Sequence, residues 1–284
     1  LYAVQKTALV SGLGILSKFL MLLALFLFVY FHITEMLFVV ILEGGVQLIK
    51  NIIATIYVRR KDRNLSPDFK NIDFSYAKGI LGFGLQIFVM QISALILNAT
   101  DNIIIMKLYN AAEVTPYSMC HRYFSIINAF FVAATGPLWT AYTTAYTMKD
   151  VGYIKKTMKK AMIFYVVTLG GIIISVAIFK PFMKIYLGQE LEYQKGLITC
   201  VAAYYAILIF SHNFSAFVHG ISKVRITTIG CMISAIINIP VSIFLAENMK
   251  MNLNGVMLGS VIGLLVSTGT YIYTTIKEIR KMEV

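Results

Sequence analysis

Three stretches without one charged residue, Phe19 to Tyr30, Ala161 to Phe179 and Val256 to Ile272, constrain this chain more than anything else in it. They approach or reach the roughly 20 apolar residues that a hydrocarbon core about 30 Å thick demands of a spanning helix. Backbone amides cannot stay unpaired in lipid, so each apolar run must close its own hydrogen bonds as a helix, and the polar breaks set the boundaries. Eight spans are predicted, at 8–31, 34–57, 79–105, 117–146, 158–180, 195–218, 226–246 and 254–276. The second pair are long for a bilayer and have to tilt or extend beyond it. The fold class is therefore all-α, a polytopic transmembrane helical bundle. Composition agrees: 58% of the 284 residues are hydrophobic and 13% are charged, where soluble domains run near 45–50% and about 25%. An ordinary soluble globular protein is excluded.

The net charge of +12 is first tested as loop charge. Alternating eight spans places 17 Lys and Arg residues on one side of the membrane and five on the other. The richest loops are Arg59, Arg60, Lys61, Arg63, Lys70 and Lys78, and then Lys149, Lys155, Lys156, Lys159 and Lys160. By the positive-inside rule both ends of the chain are expected to be cytoplasmic. The charge is thus topological, and a nucleic-acid partner is not expected.

The stretch 58–78, VRRKDRNLSPDFKNIDF and its flanks, is the longest polar one. It reads as a basic cytoplasmic linker between a two-span piece, 1–57, and a six-span piece, 79–284. Gly12 and Gly45 match Gly230 and Gly263 at a common offset of 218 residues. If that echo marks a repeat, 1–57 holds the last two helices of one bundle, and four more spans precede Leu1. The absence of an initiator Met points the same way, to a segment of a longer protein.

A charge in lipid costs about 2.5–3.5 kcal/mol on insertion scales, which makes every intramembrane charge a functional candidate. Lys18 lies roughly 15 Å into its span at about 1.5 Å per residue. It is read as contacting substrate or counter-ion, or as pairing structurally with Glu43. Glu43, Gln47, Lys50 and Asn51 share one helical stripe, open to substrate or to interhelical hydrogen bonding beside Gly44 and Gly45. Gln91, Asn98 and Asn102 share another. Asp101 is placed near the outer end of its span, as a hydrated interfacial residue or a site for protons or cations. Arg122 shares a face with Ser118 and Ser125, and its planar guanidinium suits a phosphate. It is equally able to snorkel outward. Pro137 and Pro240 remove backbone donors inside spans and are read as kinks, hinges or packing features. The candidate substrate residues are Lys18, Gln47, Lys50, Gln91, Asn98 and Arg122; those for ion coupling are Glu43 and Asp101.

His212 and His219 are seven apart and share a face, while His32 and His121 are placed near the outer boundary. Without HExxH, a Cys cluster or His–carboxylate spacing, no metal site is expected. Cys120, Cys200 and Cys231 read as small membrane-core residues. GxSxG, Walker A and aspartate-rich prenyl-diphosphate motifs are all lacking, so neither an enzyme nor a cofactor is expected.

From Phe83, the run FGLQIFVMQISALILNATDNIIIMKLYNAAEVTPYSMCHRYFSI, then GPLWTAYTTAYTMKDVGYIKKTMKKAM and PFMKIYLGQE, resembles the Wzx-like oligosaccharide flippases, polysaccharide transporters of the multidrug/oligosaccharidyl-lipid/polysaccharide superfamily. The resemblance implies a MATE-like fold of two six-helix lobes. It also implies alternating-access flipping of an undecaprenyl-diphosphate-linked oligosaccharide (an O-antigen, capsule or exopolysaccharide repeat) from the cytoplasmic to the periplasmic leaflet of a bacterial inner membrane. The implied partners are the lipid-linked oligosaccharide, the bilayer and polysaccharide polymerase machinery. Under that reading Lys18, Lys50 and Arg122 hold the diphosphate. A peptidoglycan lipid II flippase and a MATE-type multidrug exporter are the alternatives; a membrane glycosyltransferase or ligase would need larger outer loops.

Overall fold

The computed structural model describes residues 7–31, 35–61, 77–188, 190 and 192–283. Lys6, His32, Arg63, Lys70 and most of the 58–78 linker lie outside the described residues, and so do the side chains of Arg59, Lys61 and Lys78. Among the described residues the regular structure is helical throughout: α1 Thr7–Tyr30, α2 Met36–Lys61, α3 Ala77–Leu108, α4 Ala111–Thr135, α5 Leu138–Thr147, α6 Val151–Leu187, α7 Leu197–Gly220, α8 Arg225–Ile243 and α9 Leu253–Glu283. Eight of the resulting segments are long and apolar enough to cross a membrane, α4 and α5 together forming one. The chain is an all-α, multi-pass membrane helical bundle.

Two compact units divide it, Leu1–Phe74 and Ser75–Val284. In the first, α1 and α2 lie against each other. Their Leu, Ile, Phe and Val side chains remain largely exposed, as befits helices whose solvent is lipid.

In the second unit α9 packs along α8 and α7, α3 along α8, and α4, α5 and α6 against α7. Lipid is as apolar as leucine and gives no hydrophobic drive for helices to associate, so close contact depends on small residues. On α9 those are Gly255, Gly259 and Gly263, one turn apart. A Cβ at Gly255 would stand 2.5 Å from the Ala246 amide nitrogen, and one at Gly259 2.1 Å from Ser242 Oγ. Large side chains fill the remaining core in two clusters. One gathers Phe124, Phe131, Phe179, Leu197, Ile209 and Met257; the other gathers Tyr142, Ile154, Phe217 and Tyr271 towards the α5 end.

Several boundaries differ from the sequence reading. The span 117–146 is two helices. The interruption falls at Gly136 and Pro137, both in right-handed helical dihedrals, so the span is broken at the proline read as a kink. The span 158–180 is extended at both ends to Val151–Leu187 and runs through Pro181. Pro240 stays inside α8, and the helix relaxes into a π turn at Phe244–Asn248, where the Phe244 amide donates to the carbonyls of Pro240 and Val241. Both Pro137 and Pro240 are exposed. The last span continues to Glu283, because Glu278 is buried there and accepts from Tyr146 Oη at 3.1 Å and Lys281 Nζ at 2.8 Å.

Candidate functional site

The helical period of α3 carries Gln91 and Asn98 to one face, and there they line a cavity of about 500 Å³ inside the second unit. The opposite walls come from α4 (Asn128), α7 (Tyr204, Tyr205, His212, His219) and α9 (Tyr271). Among the described residues no Lys, Arg, Asp or Glu lines it; its polar groups are amides, hydroxyls, imidazoles and the Cys231 thiol. His212 Nε2 lies 3.1 Å from Asn128 Oδ1, within hydrogen-bond distance. His219 Nε2 lies 3.2 Å from Tyr271 Oη, and Trp139 sits against the same ring. The two histidines thus take part in hydrogen bonding across helices. Among the described residues no group of His, Cys, Asp and Glu could hold a metal ion.

A second pocket of about 260 Å³ adjoins it, sharing Asn98 and Tyr205 in its walls. Ser118, Arg122 and Ser125, one face of α4, line it together with Asn102 of α3. Arg122 is exposed and has no carboxylate within ion-pair distance among the described residues. His121 also lines this pocket. It is enclosed by the rings of Tyr117, Tyr204 and Tyr205.

Asp101 departs furthest from the sequence reading. It is buried within the helix bundle, 2% exposed, rather than open to solvent. Its Oδ2 accepts from Tyr117 Oη and from Ser260 Oγ, both at 2.7 Å. Asn238 Nδ2 donates to the same Ser260 Oγ at 2.7 Å. Oδ1 has no partner. The carboxyl group therefore joins α3, α4, α8 and α9 immediately behind Tyr117, which is itself a wall of the Arg122 pocket.

The first unit holds the other candidates. Lys18 Nζ and Glu43 Oε1 are 4.0 Å apart, with both side chains exposed. Lys50 Nζ donates to Gln47 Oε1 at 2.5 Å. Helical spacing brings Gln47 and Lys50 together within α2, whereas Lys18 and Glu43 meet between α1 and α2. Reversing one charge of the Lys18–Glu43 pair sets two carboxylates side by side between α1 and α2. Lys18→Glu is expected to lower the amount of membrane-inserted protein severalfold, and Lys18→Glu with Glu43→Lys to restore it, as read by immunoblot of washed membranes.

Sequence reasoning missed Asn128, Tyr204, Tyr205 and Tyr271 as cavity walls and Tyr117, Asn238 and Ser260 as the partners of Asp101. Their only sequence signal is a polar or aromatic residue within an apolar run, and the pairings are made between helices.

No curated protein and no solved structure matches the chain. A family model described as "Polysaccharide biosynthesis protein" matches residues 12–195, from α1 to the turn before α7 and hence both the Lys18–Glu43 pair and the α3–α4 walls of the cavities. With well over half of its length so matched, this multi-pass membrane chain belongs to the polysaccharide biosynthesis protein family.

Proposed function

We propose that this chain is part of a flippase that carries a lipid-diphosphate-linked oligosaccharide across the bacterial inner membrane by alternating access, without breaking a covalent bond. The observation that carries the reading is the pair of adjoining cavities in a membrane protein of this family. One offers hydroxyl, amide and aromatic groups without formal charge, the chemistry that binds sugar hydroxyls. The other offers Arg122, a bidentate donor suited to phosphate. Lys18 and Lys50 of the first unit are further candidates for holding phosphate, and the MATE-like fold that the resemblance implies would supply the alternating access. In this reading the protein is not an enzyme, needs no cofactor, moves its cargo from the cytoplasmic to the periplasmic leaflet, and delivers it to polysaccharide polymerase machinery.

The test uses the full-length protein in a strain deleted for it, scoring surface polysaccharide and lipid-linked oligosaccharide on the inner leaflet. A charge-assisted hydrogen bond to phosphate is worth about 1.5–3 kcal/mol, or about 10- to 100-fold. Arg122→Gln is therefore expected to cut surface polysaccharide at least about tenfold at unchanged membrane level, with the lipid-linked precursor accumulating inside. Normal display from Arg122→Gln combined with Lys18→Gln and Lys50→Gln would overturn the phosphate-binding role.

One observation favours a second reading, a multidrug exporter of the same architecture: the buried acid Asp101, the kind of group that would serve a cationic cargo. That reading expects the deletion strain to become sensitive to hydrophobic cations while its polysaccharide stays intact.

A further inference from the structure

We propose that the groove where α4 breaks into α5 beside α6 binds the headgroup of an anionic bilayer phospholipid, separately from the two cavities above. Gly136 and Pro137 end α4 and set α5 off as a new helix, and the gap left against α6 is about 500 Å³. Thr135 and Leu138 form one wall; Tyr153, Lys156, Lys160 and Phe164 of α6 form the other. None of its lining residues is shared with the cavities that hold Asn98 and Arg122.

The α6 wall has the polarity of an amphiphile. Lys156, Lys160, Phe164 and Val167 follow one another at i, i+4, i+8 and i+11 on one helix face. Two ammonium groups come first and apolar surface follows, Phe164 being 40% and Val167 66% exposed. Phe164 is held in place by stacking at 5.2 Å on Phe131, which is buried. The charge of this groove is uncompensated. Lys155 next door pairs with Glu283, and Lys184 at the far end of α6 pairs with Glu190. Lys156 and Lys160 have no carboxylate within 4.0 Å among the described residues. Two free cations at the foot of an exposed apolar helix, beside the hydroxyls of Thr157 and Tyr153, complement a phosphodiester whose acyl chains run up α6. Basic pockets between spanning helices are a recurrent way of holding anionic lipid. The groove borders on the exposed apolar face of α6 and has no part in the hydrogen-bonding cavity, which favours a phospholipid over the transported lipid diphosphate.

The experiment is native mass spectrometry of the full-length protein released from nanodiscs of equal phosphatidylglycerol and phosphatidylcholine. The wild type is expected to retain phosphatidylglycerol about tenfold over phosphatidylcholine. Lys156→Gln with Lys160→Gln is expected to abolish the preference, and Lys107→Gln with Lys250→Gln, at the other end of the unit, to preserve it. Thermal unfolding checks that each variant is folded, and Lys160→Gln alone is read if the double variant is not. Equal retention of the two lipids by the wild type would overturn the proposal, as would a preference that survives loss of both lysines. Displacement of phosphatidylglycerol by an equal concentration of undecaprenyl diphosphate, in the wild type but not in the double variant, would assign the groove to the cargo instead and equally overturn it.

Discussion

Gly259→Val is expected to abolish accumulation of folded protein in the membrane, while Gly269→Ala on the same helix leaves it unchanged. The reason lies in where α8 and α9 meet. A Cβ at position 259 would stand 2.1 Å from Ser242 Oγ and 2.7 Å from both the Ser242 Cα and its amide nitrogen. The hydroxyl can rotate away; the backbone atoms cannot, so the helices have to separate. Separation also breaks the hydrogen bond from Ser242 Oγ to the Val256 carbonyl and strains the one from Asn238 to Ser260. Overpacking by a methyl group typically costs about 1–3 kcal/mol, which makes Gly259→Ala the measurable variant and Gly259→Val the lethal one. Gly255→Ala should behave like Gly259→Ala, because its Cβ would meet the backbone of Leu245 and Ala246 at 2.5–2.7 Å. Around Gly269 nothing lies within 4 Å, so Ala there adds only helix propensity, about 0.5–1 kcal/mol in its favour. Thermal midpoints in detergent rank the three alanine variants, membrane level reads Gly259→Val, and a Gly259→Ala protein as stable as the Gly269→Ala one would show that α8 and α9 do not meet this way.

The glycines illustrate what could be read from the chain alone. Apolar runs long enough to span a bilayer force helices whatever their neighbours do, so the eight spans are visible in composition. Faces are nearly as legible. The period of 3.6 puts Gln91 with Asn98, and Ser118 with Arg122 and Ser125, before any partner helix is known. What the period cannot say is which faces meet. Asp101 reads as a hydrated interfacial residue or a site for protons or cations because it stands near the end of an apolar run; that Tyr117, Asn238 and Ser260 close over it from three other helices is not legible there. At Gly136 and Pro137 the proline marks where the span is interrupted, but apolar residues continue on both sides, and no polar gap betrays that two separate helices result. The cavity combines both cases, one wall readable on α3 and the facing walls on α4, α7 and α9 unreadable until the helices assemble.

Asp101→Asn is expected to leave the protein folded and to silence transport, whereas Asp101→Ala is expected to lose both. The carboxyl group sits where four helices meet, and its Oδ2 receives two hydroxyl donors. An asparagine keeps one oxygen for Tyr117 and Ser260, so the helices stay joined. An alanine leaves both hydroxyls buried without their acceptor, at about 1–3 kcal/mol for each orphaned group, together with a cavity. Transport separates charge from shape. No Lys, Arg or His lies within 4.0 Å of Asp101 among the described residues, and Oδ1 has no donor. A buried carboxylate without a counter-charge is expensive, and it is relieved by a proton or a bound cation. Glu43 has no such need, since Lys18 already stands beside it. In the proposed flippase, uptake of a proton or cation at Asp101 would change the balance of the α3–α4–α8–α9 junction directly behind the Arg122 pocket and so couple the ion to the cargo. The measurement is surface polysaccharide in a deletion strain carrying each full-length variant, beside its membrane level and thermal midpoint. Asp101→Asn at normal level with polysaccharide reduced at least about tenfold supports coupling through the carboxylate. Full export by Asp101→Asn would reduce the residue to a clamp between helices, and coupling would then have to be sought elsewhere in the protein.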